Sequence, residues 1–275
     1  MSDSESPTTT PQMPPSDWRS DDGSVLLYRG DCLELLPTLP SGIVDCVVTD
    51  PPYGHNNNNG DLIHNREAAL GRGELGAARP IANDGVEANE LFRAVLLHIR
   101  RLLQPGCCCC CCCCCGGGPD PQFARWALWM DEVFDFKQMV VWDKGPMGLG
   151  WHYRRSYETV LVAQKRGAAC RWFDQSAKVE NIIRPGSGIA KIIPSTDQHP
   201  TEKPVGLAAH FIRLHAELGH LVLDPFMGSG TTGVAAVKTG RRFIGVEIDE
   251  HFFGMAVRRI QEAFDSQALF RQVNK

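Results

Sequence analysis

The feature that most constrains the fold is an alternation of short apolar runs with segments of helical periodicity. Residues 43–50 form a continuous apolar run that ends on Asp50, and such runs are typical of strands buried on both faces of a parallel sheet. Runs of similar length occur around residues 24–31, 220–224 and 241–249. The alternation predicts a three-layer α/β domain, with a mostly parallel sheet and helices on both of its faces.

The ends of these strands are the first candidates for a functional site. In an open α/β sheet, ligands bind outside the carboxyl ends of the strands. Four predicted strands end on or beside an acid, namely Asp31, Asp50, Asp224 and Glu247. We therefore expect these carboxylates to lie at one edge of the sheet.

The chain is long enough for one large domain, and its segments differ in character. Residues 1–23 are polar and rich in Pro, Ser and Thr, which predicts a disordered tail before a single domain at residues 24–275. A helix is predicted over 87–106, where Pro and Gly stop it. Residues 54–85 show little periodicity and predict a long mobile loop. No apolar run reaches the length of a bilayer span, so a cytoplasmic protein without a membrane partner is expected.

Cysteine usage is unusual, because nine of the 12 cysteines form one run, Cys107–Cys115. Neighbouring residues of a strand point to opposite faces, and the run lacks the spacing of metal ligands, so no metal site is predicted. The run stands where a strand is due. We interpret these residues, with Cys32, Cys46 and Cys170, as reduced thiols that behave as small hydrophobes.

Charge is unevenly distributed along the chain. The formal net charge is -4, which by itself argues against a nucleic-acid partner. Residues 144–213, however, hold 11 Lys and Arg against 5 Asp and Glu. A basic stretch on an acidic body can still form an anion-binding face, so this stretch is the candidate surface for phosphate contacts.

One motif, LVLDPFMGSGTTG, joins a strand that ends at Asp224 to a helix that opens near Thr231. Its turn glycines, Gly228 and Gly230, let a ligand approach the backbone closely. Glu247 ends the next strand, where an acid suits a ribose diol. The pattern indicates a cofactor that contains a nucleoside, although a glycine turn can also serve close helix–strand packing.

A second motif, Asp50-Pro51-Pro52-Tyr53, ends a strand on two prolines that cannot extend a sheet. The Asp50 side chain and the Pro51 carbonyl can both accept hydrogen bonds from one amino group, and Tyr53 can stack on the ring that carries it. This is a receptor for a planar amine. The alternative is a simple strand terminator followed by a core tyrosine.

Together the two motifs resemble the amino-group DNA methyltransferases that use S-adenosylmethionine. The catalytic DPPY motif precedes the cofactor motif, whose core is Phe-x-Gly-x-Gly, and this permuted order resembles the beta group of the family. Further similar stretches are RRSYETVLVAQKRG and HPTEKPVGL, so the resemblance covers roughly residues 25–265. It implies a Rossmann-like methyltransferase fold, with a small target-recognition segment at about 165–200.

The resemblance also implies roles for individual residues. Asp50, Pro51, Pro52 and Tyr53 would hold a flipped-out base. The implied cofactor-binding residues are Asp31, Thr201, Lys203, Asp224, Phe226, Gly228, Gly230 and Glu247, with Asp31 near the adenine and both Thr201 and Lys203 near the carboxylate. The candidates for contacts with DNA phosphates are Lys144, Arg154, Arg155, Lys165, Arg166 and Arg171.

The expected activity is methyl transfer to the exocyclic amine of adenine in double-stranded DNA, since the aspartate-first motif is more usual for adenine. The resemblance admits a homodimer. A cytosine-N4 enzyme is the nearest alternative. More distant alternatives are a glutamine methyltransferase, which the motif order disfavours, an inactive DNA-binding protein, and an NAD-dependent oxidoreductase, which lacks its full glycine fingerprint.

Overall fold

The structure is a computed structural model that describes residues 13–53, 82–85, 87–113, 122–145, 156–184 and 203–273. The described strands are β1 Trp18–Arg19, β2 Val25–Arg29, β3 Val44–Thr49, β4 Leu103–Cys113, β5 Asp135–Asp143, β6 Tyr157–Gln164, β7 Ile182–Ile183, β8 Leu221–Asp224 and β9 Arg242–Glu247. The described α-helices are α1 Cys32–Leu35, α2 Ala88–Leu102, α3 Gln122–Val133, α4 Val205–His215, α5 Thr231–Lys238 and α6 Glu250–Val273, and a 3₁₀ turn covers Leu36–Thr38.

The described strands form one twisted sheet in the order β1-β2-β9-β8-β3-β4-β6-β5-β7. Strands β2, β9, β8, β3 and β4 pair in parallel, whereas β6 runs antiparallel to both β4 and β5. Strand β5 therefore points the same way as β3. The carboxyl ends of β2, β3, β8 and β9 meet at one edge of the sheet, which fixes where a ligand can bind.

Helices cover both faces of this sheet, and each face has its own apolar core. On one face, α4, α5 and α6 bury Phe211, Val234 and Ile260 against strand residues such as Phe243. On the other face, α2 and α3 bury Phe92, Leu96 and Trp126 against residues that include Val47 and Leu223. The predicted three-layer α/β fold with a mostly parallel sheet is confirmed.

The cysteine run supplies a central strand, as its position in the chain predicts. Cys109 and Cys111 belong to the core on one face, whereas Cys110 belongs to the core on the other. Cysteines with described side chains are free thiols. Burial raises the pKa of Cys107 to about 11, so this thiol is neutral at physiological pH. A neutral thiol of small volume packs like a short apolar side chain.

Two predicted boundaries are wrong. The disordered tail was placed at residues 1–23, but β1 lies within it and pairs with β2, and the Tyr28 hydroxyl donates to the Pro14 carbonyl at 3.0 Å. Strand β1 covers the outer edge of β2, which would otherwise expose unpaired backbone groups. The helix predicted over 87–106 ends at Leu102, because Leu103 already pairs with Val44 in the sheet.

The remaining segment predictions fall mostly outside the described residues. Of the loop predicted at 54–85, only residues 82–85 are described, and of the recognition segment at about 165–200, residues 165–184 are described and include β7. Residues 1–12 of the predicted tail also lie outside the described part. The mobility of the loop and the role of the segment stay predictions.

Candidate active site

One cavity lies at the carboxyl edge of the parallel strands. Its walls include the four acids that the sequence singles out at strand ends, Asp31, Asp50, Asp224 and Glu247. Tyr53 and Gly228 line the same cavity. The two sequence motifs, which are about 170 residues apart in the chain, therefore meet in space as the topology of a parallel sheet requires.

The Asp50-Pro51-Pro52-Tyr53 turn leaves β3 and forms one wall of this cavity. The backbone amide of Tyr53 donates to Asp84 Oδ1 at 2.7 Å, and the Tyr53 ring packs at 6.0 Å from the Trp126 ring with an interplanar angle of 29°. The Tyr53 hydroxyl donates to Asp50 Oδ1. The turn is thus held from both sides, and its tyrosine is buried in this state.

Lys203 lies beside Asp50, which the sequence did not indicate. Its Nζ is 2.7 Å from Asp50 Oδ2, 3.3 Å from the Tyr53 hydroxyl and 3.6 Å from Glu158 Oε2. Lys203 was assigned to the cofactor carboxylate by the resemblance. In the structure it lines the cavity but contacts the catalytic motif, 153 residues away in the chain.

Asp50 has an unusual electrostatic environment for a carboxyl group. Burial raises the pKa of Asp50 to about 6, while the ammonium of Lys203 opposes this rise and the charges of Glu158 and Asp224 add to it. Glu158 comes from β6 and also accepts a hydrogen bond from Lys144 Nζ at 2.6 Å. Sequence reasoning missed Glu158, although its place in the RRSYETVLVAQKRG stretch was a usable signal.

The glycine turn after β8 forms the opposite wall. Asp224 Oδ1 accepts hydrogen bonds from the Thr49 hydroxyl at 2.7 Å and from the Phe226 amide at 3.0 Å, so Asp224 ties this turn to the end of β3. Burial raises the pKa of Asp224 to about 6. Both Phe226 and Gly228 line the cavity.

Gly230 is required by the geometry of this turn. It precedes α5 with a φ of 83°, and a Cβ atom built on it would lie 2.9 Å from the Cα atom of Ala256 in α6. Only glycine adopts this backbone conformation without strain and leaves room for the neighbouring helix. For Gly230 the structure therefore shows the close-packing role that the sequence left open as an alternative.

Glu247 ends β9 on the same wall. Its Oε2 accepts the Gly228 amide at 2.9 Å, and its Oε1 accepts the Asp249 amide at 2.8 Å. Burial raises the pKa of Glu247 to about 7. Asp31 follows β2, which pairs with β9 beside Glu247, and it accepts the Leu33 amide at 2.8 Å and so caps α1. A carboxylate has about four lone-pair sites, so both acids keep capacity for hydroxyl or amino donors.

The predicted DNA-contacting residues divide between two edges of the sheet. Lys144 follows β5 on the edge that holds the cavity, and its side chain is 42% exposed. Lys165 follows β6, which runs the other way, and its Nζ donates to the Leu103 carbonyl at the start of β4. Arg166 donates to the carbonyls of residues 131 and 132 at the end of α3.

Lys165 and Arg166 therefore lie at the edge of the sheet opposite the cavity. Arg171 is also there, with its guanidinium 3.0 Å from Gln104 Oε1 and 3.4 Å from Asp45 Oδ1. Their placement gives no support to a role in DNA contacts beside the cavity. Arg154, Arg155 and Thr201 lie outside the described residues, and their roles stay predictions.

Two further observations concern the described part of the chain alone. Its His, Cys, Asp and Glu side chains form no group of three or more that could hold a metal ion. No helix within it has both the length and the apolar character of a membrane span.

The chain is similar to several known methyltransferases. The chain is 25% identical over 256 residues to the type II methyltransferase M2.MboI of Moraxella bovis, covering 89% of this chain and 90% of that protein. It is 26% identical over 267 residues to the DNA adenine methyltransferase YhdJ of Escherichia coli K12, covering 86% of this chain and 83% of that protein. The crystal structure of the M1.HpyAVI–SAM complex superposes with a TM-score of 0.58 at 26% identity, covering 86% of this chain and 99% of the other.

The family model for N6/N4 methyltransferases, described as DNA methylase, matches residues 44–258. The match runs from the strand before the catalytic motif, through the glycine turn, and into α6. The chain belongs to the N6/N4 DNA methylase family.

Proposed function

We propose that this protein transfers a methyl group from S-adenosylmethionine to the exocyclic N6 amine of adenine in double-stranded DNA. The observation that carries the proposal is that the Asp50–Tyr53 turn shares one cavity with the glycine turn and Glu247. The Asp50–Tyr53 turn forms the first wall and offers acceptors for a planar amine. The glycine turn and Glu247 form the second wall, which is suited to bind a nucleoside cofactor.

The residues of the second wall fit such a cofactor. Glu247 would accept hydrogen bonds from the ribose hydroxyls, and Phe226 and Gly228 would line the methionine end. When bound, S-adenosylmethionine supplies a methyl group on a sulfonium sulfur, which leaves as a neutral thioether. The related M1.HpyAVI was crystallised with SAM, which supports this assignment.

The residues of the first wall would activate the amine. The N6 lone pair of adenine is delocalised into the ring and is a poor nucleophile. Hydrogen bonds from the amine to Asp50 and to the Pro51 carbonyl would localise that lone pair on nitrogen. Positioning and electrostatic stabilisation then suffice, and no covalent intermediate with a cysteine is needed.

The base must leave the duplex to reach this wall, because its amine is inaccessible within the stack. Flipping costs a few kcal/mol, and stacking on the Tyr53 ring would offset about 1–3 kcal/mol of that cost. The Tyr53 hydroxyl donates to Asp50 Oδ1 in this structure. The hydroxyl therefore competes with the amine for that oxygen.

Adenine is preferred over cytosine for two reasons. The catalytic motif begins with aspartate, the variant more usual for adenine in the family that the sequence resembles. The relative YhdJ is named a DNA adenine methyltransferase. Double-stranded DNA is the proposed partner, with Lys144 as a phosphate contact at the cavity edge, and homodimerisation stays a prediction.

The test is direct identification of the product. The purified protein is incubated with S-adenosylmethionine and unmethylated plasmid DNA, and the digested nucleosides are analysed by mass spectrometry. N6-methyl-2′-deoxyadenosine is expected, with far less product from an Asp50→Ala control. N4-methyl-2′-deoxycytidine instead would overturn the choice of base, and DNA that stays unmodified at every site would overturn the proposed activity.

A further inference from the structure

The starting observation is that both oxygens of Asp50 already have protein partners. Oδ1 accepts the Tyr53 hydroxyl, and Oδ2 lies 2.7 Å from Lys203 Nζ. Each oxygen keeps a second lone-pair site, but an incoming amine binds best at the oxygen whose protein partner can move aside. Which of the two partners is the more firmly held therefore decides how the amine binds.

Lys203 is the more firmly held partner. Its side chain is 11% exposed, and its ammonium lies between the carboxylates of Asp50 and Glu158, 3.6 Å from Glu158 Oε2. Glu158 is itself 13% exposed and is fixed on its other oxygen by Lys144 at 2.6 Å. Pro204, which follows Lys203 and precedes α4, limits the backbone freedom on that side.

Tyr53, by contrast, takes on a further contact when the proposed base binds. Its hydroxyl contacts both Asp50 and Lys203 at the end of an aromatic side chain. On the proposed function its ring stacks on the flipped base, a movement that withdraws the hydroxyl from Oδ1.

We infer that Lys203 is a positioning residue, which holds Asp50 through Oδ2 and so presents Oδ1 to the exocyclic amine once the Tyr53 hydroxyl has left. This inference rests on the proposed function. It replaces the role that sequence resemblance gave to Lys203, namely contact with the cofactor carboxylate. It also includes Glu158, which holds Lys203 in place from β6.

The charges that face Asp50 give this arrangement a measurable signature. Among the described residues they are Lys203 before α4, Glu158 on β6 and Asp224 at the end of β8. A cation beside a carboxylate lowers its pKa, and an anion raises it. Loss of Lys203 should therefore raise the pH needed to ionise Asp50, and loss of the Glu158 charge should lower that pH.

The experiment measures the single-turnover rate of methyl transfer to DNA as a function of pH. Lys203→Met should slow transfer about 10- to 100-fold, the scale of a misplaced reacting group. It should also move the acid limb of the profile, near pH 6 in the unmodified protein, up by about one pH unit or more. Lys203→Arg keeps the charge and should retain most of the transfer rate and most of the original position of the acid limb. Lys238→Met, at the far end of α5, is the matched control and should change neither.

Glu158→Gln provides a second and opposite reading. The acid limb of this variant should move to lower pH. If Glu158 and Lys203 had only a structural role, the substitution would not move the acid limb in a defined direction. If Lys203→Met fails to fold in a thermal melt, the Glu158→Gln and Lys203→Arg profiles still decide the question. An acid limb that Glu158→Gln leaves unchanged or moves to higher pH overturns the inference.

Calorimetry separates this role from a role in cofactor binding. Lys203→Met should bind S-adenosylmethionine within about twofold of the unmodified protein. A large loss of cofactor affinity with an unchanged acid limb would return Lys203 to the cofactor carboxylate and overturn the inference. The proposed function is tested separately. It is wrong if the unmodified protein itself produces no methylated adenine.

Discussion

The two walls of the cavity are built in different ways. The wall after β3 consists of charged and aromatic side chains that contact one another, with Asp50 at their centre. The wall after β8 and β9 depends on backbone geometry, with Gly230 in a left-handed conformation and Glu247 fixed by two backbone amides. On the proposed function, the first wall rearranges to accept a base, whereas the described contacts of the second wall can stay as they are.

This difference separates the expected effects of substitution. Changes to the side-chain wall should affect the chemical step and leave the cofactor site intact. Changes to the backbone wall should affect the stability of the fold and the affinity for the cofactor. Substitutions on each side therefore test whether the two walls are independent.

The largest effect is expected for Asp50→Ala, which removes the acceptor at the centre of the side-chain wall. Methyl transfer should fall by at least about 10²–10³-fold, the scale seen when one hydrogen-bonding group that stabilises a transition state is lost. Affinity for S-adenosylmethionine, measured by calorimetry, should stay within a few-fold. Loss of cofactor affinity together with activity would show that the two walls are one cooperative unit.

Gly230→Ala should have the largest effect on the backbone wall. The added Cβ would lie 2.9 Å from Ala256 Cα at a φ of 83°, and such strain costs about 1–3 kcal/mol. Urea denaturation should show this loss, and cofactor affinity should fall with it. Gly254→Ala is the matched control, because its Cβ meets nothing within 4 Å. Since Gly254 lies within a helix, this change should stabilise by up to about 1 kcal/mol. Equal stability of the two variants would contradict the role given to Gly230.

The convergence of the walls could be predicted from the sequence, because it follows from local patterns and one topological rule. The apolar runs that end on Asp50 and Asp224 indicate buried parallel strands, and the ends of parallel strands share an edge. The short strands were missed because they have no such local pattern. Trp18 and Arg19 form β1 through pairing with β2 rather than through any pattern of their own.

Contacts that depend on strand direction or on distant docking could not be predicted. Lys165 was grouped with Lys144 because both belong to a basic stretch of sequence. Strand β6 runs antiparallel to β4, and this alone carries Lys165 to the opposite edge of the sheet. The pairing of Lys203 with Asp50 likewise depends on how α4 packs against the sheet, which residue spacing does not encode.

A moderate effect is expected for the pH dependence of cofactor binding at Glu247. Burial raises the pKa of Glu247 to about 7 in the free protein, and ribose hydroxyls donate best to its ionised form. Affinity should therefore be full above pH 7 and decrease as the pH falls through 7. Glu247→Gln should weaken binding about tenfold at pH 8, as expected for a lost hydrogen bond to a charged group, and should flatten this dependence.

The control for that measurement is Glu250→Gln, since Glu250 is 85% exposed and pairs with Arg29 at the surface. It should leave both the affinity and its pH dependence unchanged. Calorimetric titrations at pH 6, 7 and 8 suffice for the three proteins. A pH dependence that survives in Glu247→Gln would assign the titration to another group, such as Asp224.

The smallest effect concerns the outer surface and compares two lysines on opposite edges of the sheet. Lys144 is partly exposed beside the cavity, whereas Lys165 lies beyond β6 and donates to the Leu103 carbonyl. The edges are separated by roughly 20 Å, the length of a six-residue strand. Lys144→Met should weaken DNA binding a few-fold and reduce the salt dependence of log affinity by about one. Lys165→Met should change neither in the same titrations. Equal losses in both variants would mean that DNA reaches around the sheet to the far edge, and the side-chain wall would then be only part of a much larger interface.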